Sequence, residues 1–347
     1  MIENPKILFV LKERKHNNIY SVSYGLLNSV KFIGKYLDSK KIEHKVVEVI
    51  DGNFIDKEIF IYKPTHVILE ALWCPPYKIE ELSKLYPNIK FNVRIHSKAS
   101  FLAAEGIGFQ WINEILDIAQ NKDNVSLSIN SADFYDDLKE IRNYVQDKIY
   151  YLPNLYISKN DFSNKKSDKD VIKIGCFGAL RILKNHIVQA IAAIKLADKY
   201  NKKLEFHINV SPLENENNSI LKNLRNLFSK GKHELVEHDW MPHDIFCKLI
   251  KEMDLGLQLS FTESFNIVTA DFVANGVPIL TSSDINIVPF FYKISNVNNT
   301  DKISFRLHLL NLLTKFSFIK RIALHSLYKH NKESIIYWES FIHDRPL

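Results

Sequence analysis

The chain has few cysteines and no long apolar run. These two features limit the classes of protein to which it can belong. Its 347 residues include three cysteines, Cys74, Cys176 and Cys247, which lie far apart and form no CxxC pair. Isolated cysteines fit a reducing compartment, and we interpret all three as small core residues. No apolar stretch reaches the roughly 18 residues that a membrane-spanning helix needs. No basic leader or cleavage site is visible, so we expect a cytoplasmic protein without a signal peptide.

Patterns that would indicate other chemistry are also missing. Gly106-Ile-Gly108 precedes a helical segment, but it does not follow a strand and has no third glycine, so no dinucleotide fingerprint is predicted. His233, His238 and His243 cluster around Asp239, but their spacing is neither HxxxH nor HExxH. We therefore predict no zinc site there. No Asp-x-Asp lies on a predicted strand-end loop, and we expect no metal.

The positive charge is small and lies mainly in the second half. The formal net charge is +6, from 46 Lys and Arg against 40 Asp and Glu. Residues 1–160 carry 21 basic and 20 acidic side chains, and the remainder carries 25 and 20. A mildly basic second half fits a nucleotide diphosphate as ligand. The near-neutral first half argues against a nucleic-acid partner without excluding one.

The length and the order of apolar segments predict two α/β domains. A chain of 347 residues exceeds the usual span of one hydrophobic core. In the first half, apolar strands alternate with segments of helical spacing, which is typical of a doubly wound parallel sheet. The predicted strands are 6–11, 44–50, 65–70, 91–96 and 125–129, and the predicted helices are 24–37, 79–85, 109–119 and 134–145.

A polar stretch, residues 158–170, has the composition of a linker and is followed by a second alternation. We predict an N-terminal domain of residues 1–157 and a C-terminal domain of residues 171–330. Ligands of such sheets bind at the carboxyl ends of the strands, so a cleft between the domains is the expected site. The second set of predicted strands is 171–177, 204–210, 234–237, 255–259 and 277–280, with helices at 186–200, 219–228, 244–253 and from Asn266.

The segment 253–280 carries the strongest chemical signal. A buried strand ends at Ser260, a polar turn holds Glu263, and a helix begins near Asn266. Free backbone N–H groups at such a helix start can bind a phosphate or sugar hydroxyls. Asp271 follows Glu263 by eight residues, a little over two turns, so both carboxylates can face one cleft. An ordinary strand–helix–strand unit with solvated carboxylates fits the same spacing.

This pattern resembles the signature of retaining GT-B glycosyltransferases of family four. There, Glu, seven residues and a second Glu precede a small residue, Gly-x-Pro and an apolar strand. Here Glu263 and Asp271 precede Ala274-Asn-Gly-Val-Pro-Ile-Leu. The resemblance implies two Rossmann-like domains, with Glu263 on the donor sugar and Asp271 on the nucleotide ribose. Three residues would face the sugar and phosphates with their backbone: Ser264, Phe265 and Asn266.

The sequence departs from the family signature at two of these positions. Asp271 is one methylene shorter than the usual Glu, and Asn266 replaces a usual Gly. Asn tolerates unusual backbone angles better than most residues, so we expect the turn to survive.

Further segments resemble the family in the same order along the chain. Arg181 and Lys184 match the Arg and Lys that bind the donor diphosphate. A leaving diphosphate without a metal needs such fixed positive charge, although two solvated cations at a helix start are the alternative. His96 ends a strand as does the family's histidine that points at the donor sugar, although a lone histidine after a strand is more often structural. Residues 331–347 resemble the terminal helix that packs back on the first domain.

For two further segments the sequence permits two interpretations each. The loop after the first strand is usually Gly-rich in the family, but here it contains Lys12, Arg14 and Lys15. These cations either face the acceptor or form a solvated loop. The segment 307–327, rich in Leu, Phe and Lys, fits either a membrane surface or a helix pair of the C-terminal domain.

Three functions follow from these observations. The first is a metal-independent hexosyl- or pentosyltransferase that moves a sugar from a nucleotide diphosphate-sugar to a glycan, lipid-linked or small-molecule acceptor, with no cofactor. The second is a glycosyltransferase acting on hydroxylated DNA bases, which should show a basic groove and salt-sensitive binding. The third is a non-catalytic relative that serves as a binding protein.

Overall fold

The computed structural model describes residues 4–16, 19–21, 24–103, 106–157, 162, 170–211 and 218–346, with the backbone alone at 14–16, 19–21 and 24. The chain divides into two compact units. Unit 1 comprises Met1–Ile157 and His330–Leu347, and unit 2 comprises Ser158–Lys329.

Unit 1 contains a six-stranded, fully parallel sheet in the order β4-β1-β5-β6-β7-β8. Most of its strands are apolar in sequence, because helices cover both faces of the sheet. The strands are β1 (Lys6–Lys12), β4 (Glu43–Val49), β5 (His66–Glu70), β6 (Lys90–Ile95), β7 (Val125–Ile129) and β8 (Ile149–Tyr151). The helices are α1 (Tyr24–Ser39), α2 (Phe54–Tyr62), α3 (Pro76–Leu85), α4 (Ala99–Leu102), α5 (Gly108–Asn121) and α6 (Ala132–Ile141).

The last helix of the chain completes the core of unit 1, as predicted. It is α12 (Ser317–His343), of which the part from His330 onward belongs to unit 1. Trp338 is fully buried, and its indole N–H donates to the carbonyl of Pro153 at 2.8 Å. Phe341 and Ile342 are buried in the same hydrophobic cluster as β1 and α1.

Unit 2 contains a second parallel sheet, in the order β11-β10-β9-β12-β13-β14. Counted from its own first strand this order is 3-2-1-4-5-6, so the direction of strand addition reverses between β9 and β12. The strands are β9 (Val171–Gly175), β10 (Lys203–Asn209), β11 (Glu234–His238), β12 (Leu255–Gln258), β13 (Ile279–Ser282) and β14 (Lys293–Ile294). The helices are α7 (His186–Lys199), α8 (Ser219–Phe228), α9 (His243–Lys251), α10 (Ile267–Ala274) and α11 (Thr300–Leu313), followed by the first part of α12.

The two central strands of unit 2 need glycine. A Cβ atom on Gly256 would lie 2.6 Å from the ring of Phe272, and a Cβ atom on Gly175 would lie 3.0 Å from the same ring. Phe272 is fully buried on α10. The glycines therefore let α10 pack closely against the two strands at the reversal.

The structure differs from the sequence expectations in several places, and β8, β14 and the short helix α4 were not predicted. The segment expected as a loop, residues 12–18, contains β2 (Arg14–His16), which pairs antiparallel with β3 (Ile19–Ser21). Helix α2 was not predicted, because its apolar residues do not follow a single helical stripe. The predicted helix 134–145 ends at Ile141 and is followed by a 3-10 segment, Asn143–Lys148.

Candidate functional site

In unit 2, the loops that follow β9 and β12 meet at the reversal of strand order. The N–H of Phe261 donates to the carbonyl of Leu183 at 2.9 Å, which ties one loop to the other. Gln189 on α7 bridges them, because its amide donates to the carbonyl of Lys184 at 2.6 Å and accepts from the N–H of Leu259 at 2.9 Å. Ligands of doubly wound sheets bind at this position.

Lys184 and Glu263, predicted from separate segments, are in direct contact here. The Lys184 ammonium forms a salt bridge with Glu263 Oε1. The same carboxylate oxygen accepts from the Ser260 hydroxyl at 2.8 Å and from the Asn266 amide at 3.2 Å. The Glu263 side chain is 10% exposed and that of Lys184 25%, so the pair is partly desolvated. Glu263 is thus held in one orientation by three donors.

The other predicted cation lies on the same loop. Arg181 is exposed and stands at the start of a 3-10 turn, Ile182–Lys184. Two backbone positions shape the loop: Gly178 has φ +114°, and Asn185 has φ +57° in the left-handed region. The Asn185 side chain donates to the carbonyl of Val297 at 2.8 Å, which fixes the end of the loop. The loop therefore carries both cations, and its end is anchored by a side-chain hydrogen bond.

The start of α10 is capped by Asn266. Its side-chain oxygen accepts from the N–H of Thr269 at 2.7 Å, and its amide donates to Gln258 at 2.8 Å. Its backbone is extended, with φ −102° and ψ +99°, so the turn requires no glycine-like conformation here. Ser264 and Phe265 are half-buried in the turn that leads to this helix.

Asp271 is buried on α10 and pairs with a histidine of α9. His243 Nε2 donates to Asp271 Oδ1 at 2.6 Å. Burial lowers the pKa of His243, but the hydrogen bond to Asp271 outweighs it and raises the pKa to about 10. The imidazole is therefore cationic at neutral pH and neutralises the carboxylate.

Cys247 completes a group of possible metal ligands with His243 and Asp271. Their ligand atoms all lie within 4.8 Å of one another, and the set of N, S and O donors suits zinc. Cys74 and Cys176 are buried core residues as predicted. The same prediction is wrong for Cys247, which is half-buried on α9 beside the His243 ring at 3.7 Å. The sequence analysis missed this group because it connects two helices.

Asp284, in the loop after β13, is a further group that the sequence analysis missed. Its carboxylate accepts from the backbone N–H of Glu263 at 2.5 Å. It thereby holds the turn that carries Glu263. Nothing in the local sequence around Asp284 indicates this contact, because it joins the ends of neighbouring strands.

In unit 1, His96 follows β6 and belongs to a buried polar network. Its Nε2 donates to Glu70 at 2.5 Å, and its Nδ1 accepts from the Asn130 amide at 3.2 Å. Burial and the nearby Arg94 guanidinium lower the pKa of His96, so the ring is neutral at pH 7. Its predicted contact with a donor sugar stays a prediction.

Arg94 and Glu70 are the charged centre of this network, and both are fully buried. The guanidinium contacts Glu70 at 3.1 Å, donates to the carbonyl of Leu152 at 2.9 Å, and lies 5.1 Å from the ring of Trp338. Burial raises the pKa of Glu70, but Arg94 and His96 outweigh it and hold the pKa below its usual value.

The predicted acceptor-side cations stay a prediction as well. Lys12 is exposed at the end of β1. Arg14 and Lys15 lie on β2, and their side chains fall outside the described structure.

No protein-family model matches the sequence, and no curated protein sequence matches it. Solved structures do match. A trehalose-6-phosphate synthase, studied with bisubstrate glycomimetics for glycosyltransfer with retention, is similar with a TM-score of 0.68 and 11% identity, over 98% of this chain and 99% of that chain. A glycosyltransferase from Rickettsia africae is similar with a TM-score of 0.60 and 16% identity, over 99% of this chain and 100% of that chain.

A third match is partial. The pneumococcal O-GlcNAc transferase GtfA, solved with UDP and GlcNAc, is similar with a TM-score of 0.56 and 13% identity, over 84% of this chain and 59% of that chain. At these identities the likeness concerns the fold, and nothing in it supports a DNA acceptor. Together with the two parallel sheets, these matches show that the chain has the α/β GT-B fold of nucleotide-sugar glycosyltransferases.

Proposed function

We propose that the protein is a glycosyltransferase that takes its sugar from a nucleotide diphosphate-sugar bound by unit 2. The observation that carries the proposal is the contact between Lys184 and Glu263 where the strand order of unit 2 reverses. It joins a fixed cation, suited to a diphosphate, with a carboxylate suited to sugar hydroxyls. Enzymes with this fold include the trehalose-6-phosphate synthase and GtfA, which support the assignment.

We infer the following roles within this site. Lys184 and Arg181 neutralise the diphosphate as the bond between sugar and phosphate breaks, since a low-dielectric site makes fixed charge effective. Glu263 contacts the transferring sugar, and Asp271 holds the ribose. Residues 264–266 line the sugar and phosphates with their backbone. Retention of configuration, a hexosyl or pentosyl donor, and a glycan, lipid-linked or small-molecule acceptor belong to the same proposal. The free thiols are compatible with action in the cytoplasm.

Removing either cation is expected to weaken nucleoside diphosphate binding. Charge-assisted contacts contribute on the order of 1.5–3 kcal/mol, so Arg181→Ala and Lys184→Ala should each lose about tenfold to a hundredfold in affinity. Calorimetric titration with a panel of nucleoside diphosphates measures this. Lys230→Ala, an exposed lysine of the same unit, is the matched control. Unchanged affinity in both variants would remove the basis of the proposal.

Asp271→Asn is expected to weaken binding of donor and nucleoside diphosphate alike, by about tenfold, because a charged ribose contact is lost. The substitution also removes the partner of His243, so the pKa of that histidine should fall from about 10 towards its ordinary value. Titration by NMR reports the second effect independently of ligand. Asp239→Asn, an exposed aspartate, is the control. Full nucleotide affinity in Asp271→Asn would contradict the ribose role.

Activity is expected to be independent of divalent metal, because Arg181 and Lys184 supply the positive charge that a metal would supply. Turnover should stay unchanged after dialysis against EDTA. Loss of turnover in EDTA that manganese or magnesium restores would contradict the proposal. Restoration by zinc alone would instead indicate a catalytic role for the group of His243, Cys247 and Asp271.

A further inference from the structure

The turn between α11 and α12 exposes a cluster of large apolar side chains, which we call the apolar corner. The rings of Phe316 and Phe318 lie 6.0 Å apart and are both 58% exposed. Three more members are 39–41% exposed. The apolar corner consists of Leu312, Leu313, Phe316, Phe318 and Ile322.

The apolar corner is not the face through which these helices pack. Helix α11 buries Ile303, Leu307 and Leu310. The first part of α12 buries Ile319, Ala323 and Leu327. Both helices of this segment are present, and each buries residues other than those of the corner. The exposed surface of the corner, which is largest at Phe316 and Phe318, lies outside this core.

The sequence that contains the apolar corner carries charge of one sign between Asp301 and Glu333. Residues 302–332 contain seven Lys and Arg and no Asp or Glu, whereas the whole chain has 46 basic and 40 acidic residues. Lys315 and Arg321 are exposed next to the two phenylalanines. The seven basic residues are Lys302, Arg306, Lys315, Lys320, Arg321, Lys329 and Lys332.

Exposed apolar side chains whose charged neighbours in the sequence, Lys315 and Arg321, are basic match the chemistry of an anionic bilayer surface. Aromatic and aliphatic groups enter the boundary between headgroups and acyl chains, while Lys and Arg contact the lipid phosphates. Phe60 and Ile61 are also exposed, but they lie on α2 together with Asp56 and Glu58. Those carboxylates would repel an anionic bilayer surface. None of the described helices has both the length and the apolar character of a membrane span. We propose that the apolar corner binds peripherally to an anionic lipid bilayer.

Co-sedimentation with vesicles tests this proposal without any nucleotide, so its result is independent of the proposed function. The full-length protein should bind phosphatidylcholine vesicles that contain phosphatidylserine at least about tenfold more tightly than vesicles of phosphatidylcholine alone. The double variant Phe316→Ser, Phe318→Ser should lose about tenfold or more of this binding. Phe60→Ser, which removes an aromatic ring that is 72% exposed, should bind as the parent does.

The charge contribution is tested separately. Lys315→Gln and Arg321→Gln should each lose about fivefold in affinity for anionic vesicles, and the salt dependence of binding should weaken. Three results would overturn the proposal: no binding of the parent to either vesicle, equal binding to both, or full binding by the double Phe variant. Self-association of the parent that the double Phe variant abolishes, without vesicle binding, would assign the corner to a second copy of the chain instead.

Discussion

Glu263→Gln is expected to reduce transfer or donor hydrolysis by about a hundredfold to a thousandfold, while nucleoside diphosphate affinity changes by less than about threefold. The carboxylate is held by Lys184, Ser260 and Asn266, so its position is fixed before any ligand binds. An interaction felt mainly by the sugar in the transition state affects turnover rather than nucleotide binding. The loss of its negative charge also releases Lys184 for the diphosphate, so affinity should not fall.

Turnover and calorimetric diphosphate binding must be measured on the same preparation. Glu252→Gln replaces an exposed glutamate of unit 2 and should behave as the parent. Ser260→Ala removes one of the three donors and should give a smaller loss of turnover than Glu263→Gln. Full turnover in Glu263→Gln would refute the role of this carboxylate, and a parallel loss of diphosphate affinity would assign it to the nucleotide instead of the sugar.

Arg94→Met is expected to destabilise unit 1 by about 3–5 kcal/mol, because it leaves the Glu70 carboxylate buried without its cation. Both side chains are fully buried, and the guanidinium also holds the carbonyl of Leu152. Urea unfolding followed by tryptophan fluorescence reports mainly on this unit, because three of the four tryptophans, Trp73, Trp111 and Trp338, belong to it. Replacing Trp240 of unit 2 with Phe in all compared proteins removes the remaining signal.

A double variant separates the charge effect from lost packing. Adding Glu70→Gln to Arg94→Met removes the uncompensated charge, so the double variant should recover a large part of the lost stability. Lys84→Met, which breaks an exposed ion pair with Glu80, should change stability by less than about 1 kcal/mol. A loss below about 1 kcal/mol in Arg94→Met, or no recovery in the double variant, would show that the pair is not the electrostatic centre of the unit.

The sequence allowed prediction of the elements whose signal is local. The strand before Glu263 and the helix from Asn266 follow from hydrophobic periodicity and position in an α/β unit. Arg181 and Lys184 were identified by their resemblance to the family's diphosphate-binding residues. The direct contact of Lys184 with Glu263 was not predicted, although parallel strands end at one edge of a sheet and both residues follow such strands. The resemblance to GT-B enzymes gave the fold, which the structural matches confirm.

Other features depend on contacts between distant segments and could not be read from periodicity. The pairing of Asp271 with His243 requires α9 to lie beside α10, and Asp284 reaches Glu263 from another strand end. Glu70 and Arg94 are a partial exception, because they are opposite charges at the ends of neighbouring apolar strands and are register partners. An ion pair between them could therefore have been predicted from the sequence.

The central claim is that unit 2 holds a nucleotide diphosphate-sugar where its strand order reverses. A crystal structure of the protein grown with each of a panel of nucleotide-sugars tests it most directly. The account predicts that one of them binds with its diphosphate on Arg181 and Lys184, its sugar at Glu263 and its ribose at Asp271. A nucleotide bound elsewhere, or no nucleotide-sugar bound at all, would contradict the account, and the second result would favour a non-catalytic binding protein with this fold.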